Sequence, residues 1–258
     1  MNASAAALRI AIVGNPNSGK TALFNQLTGT RQKVANYAGV TIERKEGFYT
    51  APSGRVVRVL DLPGAYSLTA ASPDEAITRD VCYGRYPGEA LPDLIVCVAD
   101  ATNLRLHLRF VLELKRLGRP MVLALNMMDA AGRRGIRIDT ALLQQRLGMP
   151  VVETIAVRRG GTAALVERRD RDIPPLDAVP EANDDLHVAV RALLAETVTA
   201  PRRTAALDDA IDRVVLHPVL GLAVLAVVMF LIFQAVFSWA TPLQDAIDAG
   251  IAALGASV

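Results

Sequence analysis

Gly14-Asn15-Pro16-Asn17-Ser18-Gly19-Lys20-Thr21 fills the pattern G-x-x-x-x-G-K-T, and its flanks decide the fold. Leu8-Arg9-Ile10-Ala11-Ile12-Val13 before it is a short apolar run suited to a buried parallel strand. After it, Leu23, Phe24 and Leu27 share one face of a helix that opens at Lys20. Strand, glycine loop and helix together are the setting in which this pattern binds phosphate. Glycines let backbone N–H groups turn towards phosphate oxygens, and the helix N-terminus adds partial positive charge. The motif assigns Gly14 to Thr21, with Ala22 in the first helical turn, to the phosphates of a nucleotide. Lys20 is expected to reach the β- and γ-phosphates and the Thr21 hydroxyl to bind Mg²⁺. The competing reading is a glycine-rich turn with no ligand.

Three further segments, in order along the chain, point to a guanine nucleotide. Asp61-Leu62-Pro63-Gly64 follows the strand-like Val56 to Leu60. An acid at a strand tip can hold the Mg²⁺ shell, and the Gly64 N–H can face the γ-phosphate; alone, the stretch would be an ordinary turn. Asn126-Met127-Met128-Asp129 follows the apolar run Met121 to Leu125. Guanine presents two donors that one carboxylate accepts together, so Asp129 would be left unpaired against adenine. Asn126 would tie this loop to the base and the phosphate loop, and the Met127 thioether would cover one side of the base. Ile155-Ala156-Val157-Arg158 follows Val151 to Thr154 and falls where a backbone N–H, from Ala156 or Val157, can face guanine O6.

Outward from these motifs, short apolar runs alternate with helical patterns. Strands are expected near 8–13, 44–51, 55–60, 94–99, 121–126 and 151–154, and helices near 20–28, 73–84, 104–117, 139–147 and 162–169. That alternation predicts an α/β fold, a mostly parallel sheet covered on both faces. Strands 44–51 and 55–60, joined by Ala51-Pro52-Ser53-Gly54, should form an antiparallel hairpin at one edge. Pro174, Pro175 and Pro180 mark a linker or strap at 172–180, after which 184–198 and 204–216 are expected to be helical. Val219 to Trp239 is then 21 residues without a charge, enough to span a bilayer. Arg202, Arg203 and Arg213 precede it and only Asp245 and Asp248 follow. By the positive-inside rule the N-terminal domain lies in the cytoplasm and the C-terminus outside. A buried helix of a soluble core is the alternative. No cleavable signal peptide is expected, since Met1 to Ala7 is small and uncharged.

The net charge of +2 gives no electrostatic case for nucleic acid. Cys82 and Cys97 read as small core residues in a reducing compartment rather than a disulfide or metal pair. His107 and His187 read as isolated surface or cap histidines, and His217 beside Pro218 marks the membrane boundary. Met127 and Met128 are better read as packing than as metal ligands. Asp74 and Glu75 suit the dipole of the helix they open. Arg158, Arg159, Arg168 and Arg169 are most simply solvated charges.

With Asn17, Asp61 to Leu68 and Asn126 to Asp129 in hand, the chain resembles the N-terminal part of the ferrous iron transport protein B (FeoB) family, closely over 8–170 and again over 208–239. Asn36 to Gly47 looks like that family's first switch. The resemblance implies a Ras-like P-loop GTPase fold in residues 1–170. An abbreviated helical spacer would follow over 171–217, with room for about two helices at typical lengths. A transmembrane helix over 218–239 and an extracytoplasmic tail over 240–258 would complete the chain. It puts Thr41 on Mg²⁺ and the γ-phosphate, and gives Asn17 to a K⁺ ion held against the phosphates, a role other GTPases give an arginine finger. The catalytic set implied is thus Asn17, Lys20, Thr41 and Gly64, with Thr21, Thr41 and Asp61 on Mg²⁺. The implied activity is slow, K⁺-activated hydrolysis of GTP to GDP and phosphate. It would gate ferrous iron uptake at the bacterial inner membrane. The implied partners are the permease region of the same transporter, a small accessory protein and further copies of the chain. Many GTPases orient the attacking water with a glutamine just after the second-switch glycine; here Ala65 stands there. That substitution keeps open a non-catalytic GTP-sensing module. A soluble ribosome-associated GTPase is a further alternative, which would need a basic RNA-binding module where the chain has an apolar span.

Overall fold

The computed structural model describes residues 7–29, 32–37, 40–158, 160–169, 176, 186–199, 214–239, 247 and 249. The chain divides into two compact units, residues 1–201 and 202–258.

Unit one is built on β1 (Leu8–Gly14), whose apolar run pairs in parallel with β4 (Val56–Asp61) on one side and β5 (Leu94–Asp100) on the other. β3 (Glu43–Thr50) adds to β4 and β2 (Gln32–Asn36) to β3, both antiparallel. On the other flank β6 (Met121–Asn126) and β8 (Val151–Glu153) add in parallel, giving the order β2-β3-β4-β1-β5-β6-β8. Side chains alternate across β1: Ala11 and Val13 face one buried cluster, Ile10 and Ile12 the other. From Ile10 to Val13 the strand is buried on both faces and is apolar, as a central parallel strand must be.

Helices cover both faces. α1 (Lys20–Thr28) and α6 (Ala163–Arg169) pack with the Ile10 and Ile12 cluster, contributing Leu23, Phe24, Leu27 and Leu165. α2 (Pro73–Tyr83), α3 (Leu104–Lys115), α4 (Met128–Arg133), α5 (Thr140–Leu147) and α7 (Leu186–Thr197) contribute to the Ala11 and Val13 cluster, through Ile77, Phe110, Ala131, Leu143 and Val190. Ser72 caps α2, its hydroxyl accepting the Glu75 N–H at 3.3 Å, and Gly84 in the left-handed region ends it. This is the α/β sheet that the strand and helix periodicities predict.

Three departures have local causes. The β3–β4 hairpin is not at the edge, because β2 lies outside it. β2 carries one large apolar side chain, Val34, which is 60% exposed, so no period-two burial signals it. The two-residue strands β7 (Arg137–Ile138) and β9 (Val198–Thr199) pair antiparallel, and each is too short to show a period. α4 begins inside the Asn126 to Asp129 motif, where the sequence shows a binding loop. The expected helix 184–198 is observed as α7 over Leu186–Thr197. The expected helix 204–216 and the proline-rich 172–180 lie outside the described residues, apart from 214–216 and the buried Leu176.

Unit two contains α8 (Leu220–Gln234), which continues into a π-helical turn at Ala235–Trp239. Residues Leu220–Ser238 are long and apolar enough to cross a membrane, with mean hydropathy 2.7 and no burial. His217 Nδ1 accepts the N–H groups of Val219 and Leu220 at 3.2 and 3.3 Å, satisfying donors that open a helix.

His107 is buried in α3 at 5% exposure, not at the surface, and its Nδ1 has no partner among the described residues. Burial lowers its pKa from 6.5, with Asp100 opposing and Lys20 adding. Below pH 6.5 the unfolded imidazole takes up a proton that the folded one refuses. The His107 contribution should therefore lower stability progressively as pH falls through that value. His107→Leu is expected to flatten the decline in melting temperature between about pH 7.5 and 5.5; an unchanged decline would contradict the assignment.

Candidate functional site

The parallel strands end on one side of the sheet, where α/β folds place ligands. β1 delivers Gly14, β4 delivers Asp61 opposite Ile12, and β5 and β6 deliver Asp100 and Asn126 in register. Gly14 and Gly19 have φ of +151° and +90°, and Asn17 at +62° is an asparagine in the left-handed region it tolerates. The loop thus turns tightly from β1 into α1. Inside it, the Asn15 amide and the Ser18 hydroxyl are buried with no hydrogen-bond partner among the described residues. Buried polar atoms are nearly always satisfied, so these mark a place built for a polar ligand.

Lys20 is buried, and its Nζ donates to Asn15 O at 2.9 Å. Burial lowers its pKa, and Asp61 partly offsets this. Burial likewise raises the Asp61 carboxyl, with Lys20 and the Thr21 hydroxyl opposing. The Thr21 hydroxyl donates to Asp61 Oδ2 at 3.1 Å, while Asp61 Oδ1 is buried without a partner. A hydroxyl and a carboxylate meeting here are the hard oxygens Mg²⁺ prefers, and the unsatisfied oxygen fits such an ion. Among the described residues no three His, Cys, Asp or Glu converge. Further ligands would be phosphate oxygens and water, as Mg²⁺ sites usually have.

Gly64 packs against the phosphate loop: a Cβ there would lie 2.9 Å from Pro16 Cγ. Ala65 is fully buried and donates its N–H to Gly14 O at 3.2 Å. Two glutamates hold the following loop. Glu75 accepts the N–H groups of Tyr66 and Ala71 at 3.0 and 2.9 Å, and these bonds hold its carboxyl below the usual range. Glu113 accepts the Ser67 hydroxyl and the Leu68 N–H at 2.8 and 2.7 Å. Glu75 thus does more than face a helix dipole, and its position three residues after Ser72 is a capping-box signal that could have shown it. Glu113 carries no such signal.

Asn126 joins the arms of the site. Its Nδ2 donates to Ser18 O at 3.0 Å, and its Oδ1 accepts the Ala156 N–H at 3.0 Å and the Thr154 hydroxyl at 3.4 Å. The Ala156 N–H is therefore already engaged, and of the two expected to face guanine O6 only that of Val157 remains. Met127 has φ of +62°, unusual for a long side chain and a mark of local strain. Asp129 Oδ2 lies 2.9 Å from Arg133 and 3.8 Å from Arg158, and Arg133 chiefly lowers the Asp129 pKa. The Arg158 side chain is 62% exposed, so it remains a largely solvated charge within reach of Asp129. Thr41 and Asn17 are both exposed; Thr41 lines a groove of about 770 Å³ between Tyr37 and the start of α2. The structure brings together Asn15, Ser18, Lys20, Thr21, Asp61 and Gly64, and joins Asn126 to Ser18 and Ala156. Among the described residues, no hydrogen bond joins Thr41 to that group. Cys82 and Cys97 are buried free thiols, with burial pushing Cys82 up to about 12.

A Cβ on Gly19 would sit 2.2 Å from Asn126 Nδ2, whereas nothing lies within 4 Å at Gly132. Gly19→Ala is expected to lower the melting temperature by several degrees, about 2–4 °C per kcal/mol in a domain of this size. Gly132→Ala, inside α4, should raise it slightly. Equal shifts in the two variants would contradict the close approach.

Residues 8–169 match the family described as ferrous iron transport protein B. The Fe(2+) transporter FeoB of Salmonella typhimurium is 48% identical over 165 residues, covering 64% of this chain and 21% of that protein. The chain therefore spans about a fifth of the length of that relative. Among solved structures, the G domain of the T. maritima FeoB iron transporter aligns at 41% identity and TM-score 0.56, covering 64% of this chain and 99% of that one. The cytosolic domain of the T. maritima protein in GMPPNP form aligns at 30% identity and TM-score 0.60, covering 74% and 99%. With its glycine loop, Asp61 strand tip and Asn126 bridge already in place, this chain belongs to the ferrous iron transport protein B family, and residues 8–169 correspond to its N-terminal G domain.

Proposed function

We propose that residues 1–170 bind GTP and GDP and hydrolyse GTP to GDP and phosphate. The observation that carries the reading is the set of unsatisfied buried polar atoms on Asn15, Ser18 and Asp61, gathered around Lys20 and Thr21. Lys20 would exchange the Asn15 carbonyl for phosphate oxygens. Thr21 and Asp61 would hold Mg²⁺, with Thr41 joining them from switch I; the ion supplies charge to stabilise the phosphates. Gly64 would present its N–H to the γ-phosphate, and its tight fit on Pro16 keeps that N–H beside the loop. Asp129 would read the two guanine donors, with Met127 against the base and the Val157 N–H towards O6.

Water is the nucleophile, and hydrolysis breaks the bond between the γ-phosphorus and the β–γ bridging oxygen. Ala65 is buried with its N–H engaged, so this position offers no side chain to orient the water. Slow turnover follows. The same fact favours, as a second reading, a module that binds GTP and signals through its switches without hydrolysis. Asn17, exposed on the loop with an amide oxygen to offer, would serve a K⁺ ion; K⁺ adds positive charge near the phosphates.

In a complete transporter this domain would sit in the cytoplasm and gate Fe²⁺ uptake across the bacterial inner membrane. Residues 171–217 would act as a short helical spacer, 218–239 as a transmembrane helix and 240–258 as an extracytoplasmic tail. The permease region of the same transporter is the proposed partner, with a small accessory protein and self-association as further ones. The unburied apolar α8 supports the membrane reading.

Two measurements test the site. Asp129→Asn should weaken GDP binding by tenfold or more and shift preference to xanthine nucleotides, whose 2-oxo group suits an amide donor. Equal competition by ATP and GTP in the unaltered chain would defeat the guanine assignment. GTP hydrolysis should run faster in KCl than in NaCl at equal ionic strength, and Asn17→Ala should abolish the difference while leaving GDP affinity intact. Identical rates in both salts would reject the K⁺ role.

A further inference from the structure

The loop from Gly84 to Ala90, between α2 and β5, has no part in the site described, yet it grips both ends of switch I. At the N-terminal end, Tyr37 is 2% exposed and meets the Tyr86 ring edge-on, with centroids 5.3 Å apart and planes at 78°. That is the arrangement aromatic quadrupoles favour. At the other end, Arg44 pairs with Glu89 through Nε and with Glu46 at 2.7 Å. Arg58 closes the square, pairing with Glu46 and, at 3.3 Å, with Glu89. Glu89 is only 6% exposed, so the network is shielded from screening by solvent.

The loop is itself fastened to α2. The Arg85 and Tyr86 N–H groups donate to Asp80 O at 2.7 and 3.2 Å, and the Glu89 N–H donates to Tyr86 O at 3.2 Å. Leu91 fills the space beside Gly84, where a Cβ would meet its side chain at 2.6 Å. Between the two grips the chain turns back on itself: the Tyr37 N–H donates to Ile42 O at 2.9 Å and the Val40 N–H to Tyr37 O at 3.2 Å. Thr41 sits within this turn, exposed.

We propose that Tyr86 and Glu89 are positioning residues that pin Tyr37 and Arg44, the two ends of the segment carrying Thr41, and so limit how far Thr41 strays from the γ-phosphate. The inference rests on the GTP-hydrolysing reading above. Its logic is entropic. Each backbone residue that must be ordered when Thr41 closes opposes the triphosphate-bound state, and fixed ends leave fewer to order. GDP has no γ-phosphate for Thr41 to meet, so its binding does not draw on the pin. The same loop connects switch I to α2, the helix that follows switch II, through Asp80.

The test uses the full chain in detergent, with Tyr86→Ala, Tyr86→Phe and Glu89→Gln. Single-turnover GTP hydrolysis should fall about tenfold or more in Tyr86→Ala and Glu89→Gln, as expected when one or two residues must be newly ordered. Affinity for a non-hydrolysable GTP analogue should fall while GDP affinity stays within about twofold, so the ratio of the two moves. Tyr86→Phe keeps the ring and should lose less than Tyr86→Ala. Hydrolysis and affinity ratio both unchanged in Glu89→Gln would overturn the proposal. So would equal losses for GDP and the analogue, which indicate a structural role. If the unaltered chain fails to bind GDP, the functional reading itself falls; if it binds and hydrolyses but the variants match it, only the pin does.

Discussion

The Asn126 side chain is the joint on which the rest of the site depends. One amide reaches the carbonyl of Ser18 in the phosphate loop and the N–H of Ala156 beyond β8. One segment follows β1 at the centre of the sheet and the other follows β8 at its edge. The amide is 3% exposed, so each bond is formed where water cannot replace it. Losing it would leave a buried carbonyl and a buried N–H unsatisfied, at about 1–3 kcal/mol each. Gly19 is glycine for the same reason: a side chain there would fall on this amide.

Around the joint, the sheet sets the geometry and the charges are kept in balance. β1 can be apolar from Ile10 to Val13 because parallel neighbours and helices cover it there. Lys20 and Asp61 are both buried, each shifted by burial and each partly restored by the other. Such a pair is costly without ligands that complete it. The loop after Gly64 is stabilised instead by carboxylates, Glu75 and Glu113, that accept backbone donors. Together with the buried Ala65, these hydrogen-bonded carboxylates give residues 65–72 a defined shape.

Much of this was legible from residue order. The strand before Gly14, the Asp61 strand tip and the Asn126 motif each announce themselves by local pattern, and parallel pairing places them together. What local pattern misses depends on contacts across the chain. β2 has no buried face, so it carries no period. His107 occupies a helical position read as surface, and only the packing of α3 on the sheet buries it. The Ala156 N–H belongs to Asn126 because of where β8 pairs with β6, which no spacing reveals. Tyr86 and Glu89 gain meaning only through Tyr37 and Arg44, more than forty positions away.

If Asn126 holds the phosphate and base arms together, removing its amide must weaken every nucleotide, whereas removing the base-reading carboxylate must weaken guanine alone. The direct measurement is calorimetric titration of GDP and ADP against the unaltered chain, Asn126→Ala and Asp129→Ala, each first shown folded by its melting transition. The account predicts that Asp129→Ala lowers GDP affinity towards that of ADP and leaves ADP unchanged, while Asn126→Ala lowers both. GDP affinity unchanged in a folded Asn126→Ala variant would contradict it.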